Sequence, residues 1–162
     1  MQKNKLNKYR KLRVFITGAT GFKGSWLLFW LKKINAQVMG IGLPPEKNNI
    51  IINSLKLDKS NIIHIQNINN FDETLSLIKS FKPDIIFHLA AQSIVSKSIT
   101  DPLDTFRTNI IGSANLIEIS KKIDVPLVMI TSDKCYKNNE WIWAYRENDE
   151  LGSSDPYSAS KA

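Results

Sequence analysis

The stretch that most constrains the fold lies between residues 12 and 33. Its first part, "LRVFIT", is an apolar run typical of a buried β-strand. Its last part, "SWLLFWLKK", is apolar almost all round, as a helix packed against a sheet would be. Only the glycine-rich segment "GATGFKG" separates the two. This order of strand, tight loop and helix predicts the start of a parallel sheet, because the helix carries the chain back for the next strand.

The same alternation continues along the chain. Further strand patterns lie at residues 36–42, 61–66, 84–90 and 125–132, and a short amphipathic helix is predicted at residues 71–81. Alternation of this kind implies right-handed crossovers. The sequence therefore predicts an α/β fold, a doubly wound parallel sheet with helices on both faces.

A long helix is predicted from Asp101 to about residue 122. Asp101 suits the N-cap and Pro102 the first helical position. Lysines at positions 121 and 122 suit the negative end of the helix dipole. The apolar residues at helical spacing are Leu103, Phe106, Ile110, Ala114 and Ile117.

Charge and cysteine content exclude several classes of protein. The net charge is +7, but six of the 22 basic residues and none of the 15 acidic ones lie within residues 1–13. We therefore expect a basic, solvated extension over residues 1–11 and one domain over residues 12–162, with no nucleic-acid partner. The single Cys135 excludes an internal disulfide framework and a multi-cysteine zinc site, and we expect no metal. No apolar run is long enough to span a bilayer, so a cytoplasmic protein is the simplest interpretation.

The glycine loop predicts a dinucleotide site. Gly18 permits a tight turn, Gly21 allows backbone to approach a pyrophosphate, and Gly24 lets the helix pack close to the strand. The amides and dipole of the helix N-terminus then face the phosphates. The acid expected about 20 residues further on is poorly marked, since Glu46 follows two prolines, and the choice between NAD and NADP stays open at this point.

Polar residues at the ends of the fourth and fifth strands extend the predicted site. In doubly wound sheets ligands bind beyond the carboxyl ends of the strands. "HLAAQ" ends the fourth strand and "TSDK" the fifth, where Ser132, Asp133 and Lys134 form either a reactive group or an ordinary polar turn. His88 is interpreted as a hydrogen-bonded packing residue. Trp141, Trp143 and Tyr145 predict an edge strand or a loop packed on the sheet.

The chain resembles a known family in five stretches. "GATGFKGSWL", "FHLAAQ", the "DP…TF.TN..G" pattern, "TSDKCY" and "EWIWAYRE" are similar to those of CDP-glucose 4,6-dehydratases, in the extended branch of the short-chain dehydrogenase/reductase superfamily. The glycine loop and the "YSASK" pattern are common to the superfamily, whereas "TGFKGSWL", "SDKCY" and "EWIWAYRE" point to this family. The resemblance covers the chain from residue 12 and implies a Rossmann-like domain, truncated before the last strands and the substrate domain.

The resemblance implies an NAD-dependent internal redox reaction that converts CDP-glucose to CDP-4-keto-6-deoxyglucose and water. Tyr157 would take the proton of the sugar 4-hydroxyl, and Lys161, on the same helix face, would favour the ionised phenol and bind the nicotinamide ribose. Asp133 would be the acid at C6 and Lys134 the base at C5, provided that burial or cationic neighbours keep its amine neutral. Ser132 would bond the 4-oxygen.

The implied NAD contacts come from the glycine loop and from the ends of the third and fourth strands. They are Gly18, Thr20, Gly21, Phe22, Lys23, Gly24, Asn67, Ile68, Leu89, Ala90, Ala91, Gln92 and Asn109, together with Tyr157 and Lys161. Asn67 stands where many relatives have an acid in "DIRD", here "NINN". An asparagine oxygen accepts a hydrogen bond from an adenine amino group less strongly than a carboxylate does.

Three functions stay open at this point. They are a sugar-nucleotide dehydratase seen as its N-terminal half, a non-catalytic nucleotide-binding fragment, and another member of the superfamily such as a sugar-nucleotide 4-epimerase. The epimerase is disfavoured because it needs no acid–base pair like Asp133 and Lys134. We expect full-length relatives to be homodimers with a role in lipopolysaccharide biosynthesis. We expect the 162-residue chain alone not to convert CDP-glucose.

Overall fold

The computed structural model describes residues 7–45, 52, 62–152 and 154–162. Its strands are β1 (Arg13–Thr17), β2 (Gln37–Gly42), β3 (Ile63–Ile65), β4 (Ile85–His88) and β5 (Leu127–Met129). Its helices are α1 (Phe22–Lys33), α2 (Phe71–Phe81), α3 (Val95–Thr100), α4 (Pro102–Phe106), α5 (Gly112–Ile123) and α6 (Pro156–Ala159). The strands form one sheet in the order β3-β2-β1-β4-β5, and each neighbouring pair is parallel. The predicted doubly wound sheet is confirmed.

The core lies on both faces of the sheet because successive side chains of β1 point in opposite directions. Val14 and Ile16 are fully buried against α1, and Phe15 is fully buried on the other face against α2 and α5. The central strand therefore carries an uninterrupted apolar run, as the sequence indicated. Partners on the α1 face include Leu28 and Leu31, and on the other face Ile78, Ile86, Leu116 and Ile119.

The outer strands are shorter than the apolar patterns suggested. Residues 125–132 predicted a strand, whereas β5 has three residues, paired with β4 from Leu127 to Met129. Among the described residues β5 has β4 as its one neighbour. One hydrogen bond continues past the paired segment, from the Ile130 amide to the His88 carbonyl at 3.0 Å, and a 3-10 turn begins at Asp133. The short β5 leaves the following residues free to turn across the carboxyl end of the sheet.

The helix predicted from Asp101 forms, but it is not uniform. A π-helical turn, Arg107–Ile111, joins α4 to α5. The apolar face that the sequence predicted is not the face that packs on the domain. Leu103, Ile110 and Ile117 on that face are 64%, 45% and 51% exposed. The buried residues of this helix are instead Thr105, Asn109, Gly112, Leu116 and Ile119. Thr105 and Asn109 are polar, and both turn inward because each has a buried hydrogen-bond partner.

The end of the predicted N-terminal extension packs on the domain. Residues Asn7–Tyr9 form a 3-10 turn, and the Tyr9 ring lies 5.9 Å from that of Phe87. The amide of Lys11 donates to the carbonyl of Asn35 at 3.1 Å. The sequence pattern predicted that the domain begins at residue 12, but the packed domain includes Tyr9 and Lys11.

The aromatic stretch after β5 forms a loop and not an edge strand. Its ends are joined by a bridge between Tyr136 and Leu151 and by a 3.0 Å ion pair between Lys137 and Glu150. The Tyr145 ring stacks on that of Tyr136 at 5.4 Å. The loop packs its aromatic rings on one another. Within the part of the chain that the structure describes, no helix is long and apolar enough to cross a membrane.

Candidate active site

A cleft of about 560 Å³ opens at the carboxyl ends of β1 and β4. From β1 the chain runs through β2 to β3 on one side of the sheet, then crosses to β4 and β5 on the other. The loops after β1 and β4 therefore leave in opposite directions and open a crevice between them. Such a switch point is where doubly wound sheets bind ligands.

The glycine loop forms the floor of the cleft in a conformation that requires glycine at Gly18. Its φ is +70°, in the left-handed region, and a Cβ there would lie 2.7 Å from the amide nitrogen of Ala90. The loop after β1 thus touches the loop after β4. Both loops therefore border the cleft where they meet.

The first turn of α1 points into this cleft. The amide of Ser25 donates to the carbonyl of Gly21 at 2.9 Å, so the amides of residues 22–24 have no intrahelical acceptor. A Cβ at Gly21 would have a single close neighbour, the Gly18 carbonyl oxygen at 3.3 Å, and would otherwise project into the cleft. The open space and the unpaired amides suit a phosphate group.

One side of the cleft is lined by the ends of β2 and β3. Two of the predicted cofactor contacts, Asn67 and Ile68, line it next to Gly42, Leu43 and Gln66, which the sequence analysis missed. The Asn67 side-chain oxygen already accepts a hydrogen bond from the Asn69 amide at 3.0 Å. One lone pair of the Asn67 side-chain oxygen is therefore already used within the turn at residues 67–69.

The segment after β4 forms the opposite wall. Four predicted cofactor contacts line the cleft here: Leu89, Ala90, Ala91 and Gln92. The Ala90 amide donates to the Thr17 hydroxyl at 3.2 Å. β1 therefore holds the start of this wall in position.

Asn109 was predicted as a cofactor contact, but it does not line the cleft. It is buried in the π turn, where its side-chain oxygen accepts from the Gln92 amide at 2.9 Å. Its Nδ2 donates to the Gln92 carbonyl at 3.0 Å. Both backbone groups of Gln92 are thus bound by one side chain, and Asn109 acts on the cleft through Gln92.

His88 is a buried hydrogen-bonded residue, in agreement with its interpretation from sequence. Its Nδ1 lies 2.6 Å from the Thr17 hydroxyl and its Nε2 3.0 Å from that of Ser113. Burial, and secondarily the positive charge of Lys161, lower the pKa of His88 to about 4. The ring is therefore neutral at ordinary pH and serves to connect β1, β4 and α5.

Tyr157 lies in α6, whereas Lys161, predicted on the same helix, lies in the turn that follows it. Both line the cleft, and Tyr157 is 9% exposed. Burial lowers the pKa of the Lys161 amine. Asp155 caps the helix by accepting from the Ser158 amide at 2.9 Å. Although α6 is a single turn, it packs against α3 and α4, and this packing supplies stability that its length alone would not.

The hydrogen bonds of this turn also change the pKa of the Asp155 carboxylate. Burial acts to raise its pKa, but hydrogen bonds from the side chain and amide of Ser158 and the amide of Tyr157, with the charge of Lys134, outweigh burial and lower the pKa. The cap is therefore ionised over the whole physiological range. The sequence analysis missed this cap, although "DP" at 155–156 repeats the signal read at 101–102.

Ser132, Asp133 and Lys134 lie on a 3-10 turn that contacts α6 but does not line the cleft. The Ser132 hydroxyl donates to the Asp133 carboxylate at 3.2 Å. Lys134 is exposed, so the burial proposed to keep its amine neutral is not found. Next to this turn, the cleft is lined by Ile130 and Thr131.

The far end of the cleft contains residues that the sequence analysis did not single out. The Lys97 amine and the Asp104 carboxylate form an ion pair at 3.0 Å, and both line the cleft. Ser93, Ile94 and Thr108 line it beside them. No motif in the sequence marked this pair, because α3 and α4 meet only in the folded chain. Within the described residues, no cluster of side chains could hold a metal ion.

A sheet in this order, with a glycine loop and a Tyr–Lys pair at its switch point, defines a Rossmann-type domain of the short-chain dehydrogenase/reductase class. Residues 15–162 match the family model described as GDP-mannose 4,6 dehydratase, and the chain belongs to this family.

Individual relatives agree with this membership. The chain is 43% identical over 157 residues to CDP-glucose 4,6-dehydratase of Salmonella typhimurium, covering 96% of this chain and 44% of that protein. It is 28% identical to UDP-glucose 4-epimerase of Mycoplasma genitalium, covering 93% and 45%. The solved UDP-glucose 4-epimerase of Thermus thermophilus, a complex with NAD, superposes with a TM-score of 0.77 at 24% identity, covering 93% and 47%. The chain spans less than half the length of each of these proteins.

Proposed function

We propose that this chain forms the cofactor-binding and proton-transfer part of an NAD-dependent CDP-glucose 4,6-dehydratase. The observation that carries the proposal is that Tyr157 and Lys161 line the same cleft as the glycine loop. The 43% identity to the Salmonella enzyme supports the choice of substrate. The reaction converts CDP-glucose to CDP-4-keto-6-deoxyglucose and water.

The cleft fits a dinucleotide on its own geometry. The loop from Gly18 to Gly24 leaves amides and open space where a pyrophosphate would lie. Asn67 and Ile68 would border the adenosine, while Ala90, Gln92 and Lys161 would border the nicotinamide half. The other predicted contacts, Thr20, Phe22, Lys23, Leu89 and Ala91, line the same cleft. Bound NAD would accept a hydride from the sugar C4 and later return it to C6.

Tyr157 would take the proton from the 4-hydroxyl as the C4–H bond breaks, leaving a ketone at C4. Lys161 would favour the phenolate by its positive charge and would bind the ribose. The Ser132 hydroxyl would bond the 4-oxygen. Because Tyr157 is almost fully buried where it lines the cleft, packing would restrict the orientation of its ring.

The ketone at C4 makes the C5 proton acidic, and water is then eliminated across C5 and C6. Lys134 would take the C5 proton, and Asp133, in its protonated form, would give a proton to the leaving C6 hydroxyl. When hydride returns to C6, Lys134 would return the proton to C5. Both side chains are exposed in this structure, so bound substrate would have to exclude water from them.

A 4-epimerase is the second candidate, favoured by the UDP-glucose 4-epimerases that the chain also matches. The dehydratase is preferred because it uses the adjacent Asp133 and Lys134 beside α6, which an epimerase does not need. We further propose a cytoplasmic enzyme, homodimeric at its natural full length, with a product used in lipopolysaccharide biosynthesis.

The test is conversion of CDP-glucose by the purified protein at its natural full length with NAD⁺. We expect a 4-keto-6-deoxy product, and loss of product formation with retained NAD⁺ binding in Tyr157→Phe. Tyr157→Phe with full activity would refute the proposed base. Production of CDP-galactose without loss of water would favour the epimerase. If the protein binds NAD⁺ and converts neither CDP- nor UDP-glucose, the non-catalytic alternative stands.

A further inference from the structure

The one-turn helix α6 carries Tyr157, and the turn that follows it carries Lys161, yet a four-residue helix has little stability of its own. Its N-terminal end is held by the Asp155 cap. Its C-terminal end is held by a different residue, Ser160, which lies between the two reactive side chains in sequence and is 8% exposed.

The Ser160 hydroxyl makes two hydrogen bonds in opposite roles. It donates to the carbonyl of Tyr157 at 2.6 Å and accepts from Nδ2 of Asn109 at 2.8 Å. A hydroxyl has one proton, so donation to Tyr157 leaves the oxygen lone pairs for Asn109. The first bond tightens the turn, and the second ties it to the π turn.

Asn109 is held rigidly on its other side. Its oxygen and its second Nδ2 proton are taken by the amide and carbonyl of Gln92. Gln92 in turn donates from its side chain to the Thr105 hydroxyl at 3.0 Å. A continuous buried network therefore runs from the wall of the cleft, through Asn109, to the turn that carries Tyr157 and Lys161.

We propose that Ser160 is a positioning residue, which sets the separation of Tyr157 and Lys161 from the Gln92 wall of the cleft by linking the Tyr157 carbonyl to Asn109. Ser160 does not line the cleft, so it acts through its neighbours and not on the substrate. Loss of the hydroxyl leaves a buried Nδ2–H of Asn109 and the Tyr157 carbonyl without their partner. The turn then loses the side-chain hydrogen bond that ties it to the π turn.

The chain offers a matched control in Ser98. It is fully buried, and its hydroxyl donates to the carbonyl three residues earlier, Val95, at 2.7 Å, as Ser160 does to Tyr157. Within the described part of the chain, and unlike Ser160, it is not bonded by a side chain of another element. Ser98→Ala therefore removes a comparable buried hydroxyl without removing a link to the π turn.

Amide hydrogen exchange tests the link without any turnover. Ser160→Ala should speed exchange over residues 157–162 about 10-fold or more, while exchange in β1 and α3 stays at the wild-type rate. Ser98→Ala should leave residues 157–162 unchanged. Unchanged exchange in Ser160→Ala, or an equal effect of Ser98→Ala, overturns the proposal.

Steady-state kinetics separate positioning from a merely structural role, and this part rests on the proposed dehydratase function. In the protein at its natural full length, Ser160→Ala should lower kcat about 10-fold to 100-fold with KM for CDP-glucose within about threefold, since misplacement affects the reacting geometry more than binding. Ser160→Thr, which keeps the hydroxyl, should restore most of kcat. A kcat within about twofold of wild type in Ser160→Ala overturns the proposal.

A second variant and the exchange measurement cover the cases in which Ser160→Ala does not fold or the wild type has no activity. If Ser160→Ala does not fold, Ser160→Cys keeps the side-chain volume and weakens both hydrogen bonds, and the same expectations apply to it. If the wild-type protein converts no CDP-glucose, the proposed function fails, and the exchange result alone decides the role of Ser160.

Discussion

The carbonyl oxygen of Gly18 occupies the space in which a side chain at Gly24 would begin. A Cβ at position 24 would overlap that oxygen and would lie 2.8 Å from the Gly18 carbonyl carbon and 3.0 Å from the Ala19 Cα. All three obstacles are backbone atoms of the loop, which cannot move away as the end of a side chain can. The third glycine of the motif is therefore required by the contact between helix and loop.

Gly24→Ala should lower the free energy of unfolding by about 1–3 kcal/mol or more, because α1 must move off the loop to admit the methyl group. Urea denaturation monitored by far-ultraviolet circular dichroism measures this change. Wild-type stability in Gly24→Ala would contradict the contact that the structure shows.

Gly21→Ala should leave the stability nearly unchanged but weaken cofactor binding. Its Cβ meets only the Gly18 carbonyl oxygen, at 3.3 Å, and projects into the cleft, so we expect a stability change within about 0.5 kcal/mol. Binding of NAD⁺, measured by calorimetry, should weaken at least about 10-fold because the methyl group takes space meant for the pyrophosphate. Undiminished binding would show that the dinucleotide lies elsewhere.

His88 should remain neutral far below the usual range for histidine. Burial and the charge of Lys161 lower its pKa from 6.5 to about 4, so protons bind the unfolded chain first as the pH falls. The stability contributed by the neutral ring is complete above about pH 6.5 and is lost progressively toward pH 4, by about 3 kcal/mol in total. An NMR titration of the His88 ring checks the midpoint, and a midpoint at or above 6.5 would exclude the buried, bonded ring.

Removal of the Tyr9 ring should destabilise the domain. The ring packs on Phe87 and on the core beneath α1, so Tyr9→Ala should cost about 1–2 kcal/mol of unfolding free energy. Arg10→Ala, at an exposed neighbouring position, is the matched control and should change little. Equal effects of the two substitutions would mean that residues 7–11 add nothing specific to the fold.

The cap of α6 should depend on an acceptor atom and not on charge alone. Asp155→Ala removes the acceptors of the Ser158 amide and hydroxyl and should cost about 0.5–2 kcal/mol, with faster exchange of the Ser158 amide. Asn is as good a cap as Asp, so Asp155→Asn should recover most of that loss. A full loss in Asp155→Asn would instead point to the interaction of the carboxylate with Lys134.

Local signals in the sequence predicted most of the elements and a cleft at the strand ends. The strand–glycine loop–helix order placed β1 and α1, and the helix at 71–81 matches α2 at both ends. The spacing of the glycines anticipated the positive φ of Gly18 and the close approach at Gly24. These features depend on short-range sterics, so a short stretch of sequence contains the information.

The same local signals did not predict the long-range contacts. The apolar stripe through Leu103, Ile110 and Ile117 predicted a packed face, yet these residues are exposed, and the face that carries the buried hydrogen bonds of Asn109 turns inward. The exposure of Lys134 was likewise not visible in the pattern that placed it at a strand end. Such outcomes depend on partners 17 or more residues away, for which local periodicity holds no information.

The sequence by itself determined the class of fold, the site of the cleft at the strand ends and the Tyr157–Lys161 spacing, because these follow from periodicity, glycine sterics and the geometry of one helical turn. Only the tertiary structure decided that this turn is capped by Asp155 and tied through Ser160 to Asn109. A four-residue helix gains its position from side chains that converge on it from distant parts of the chain, and that convergence exists only once the sheet and the π turn have formed.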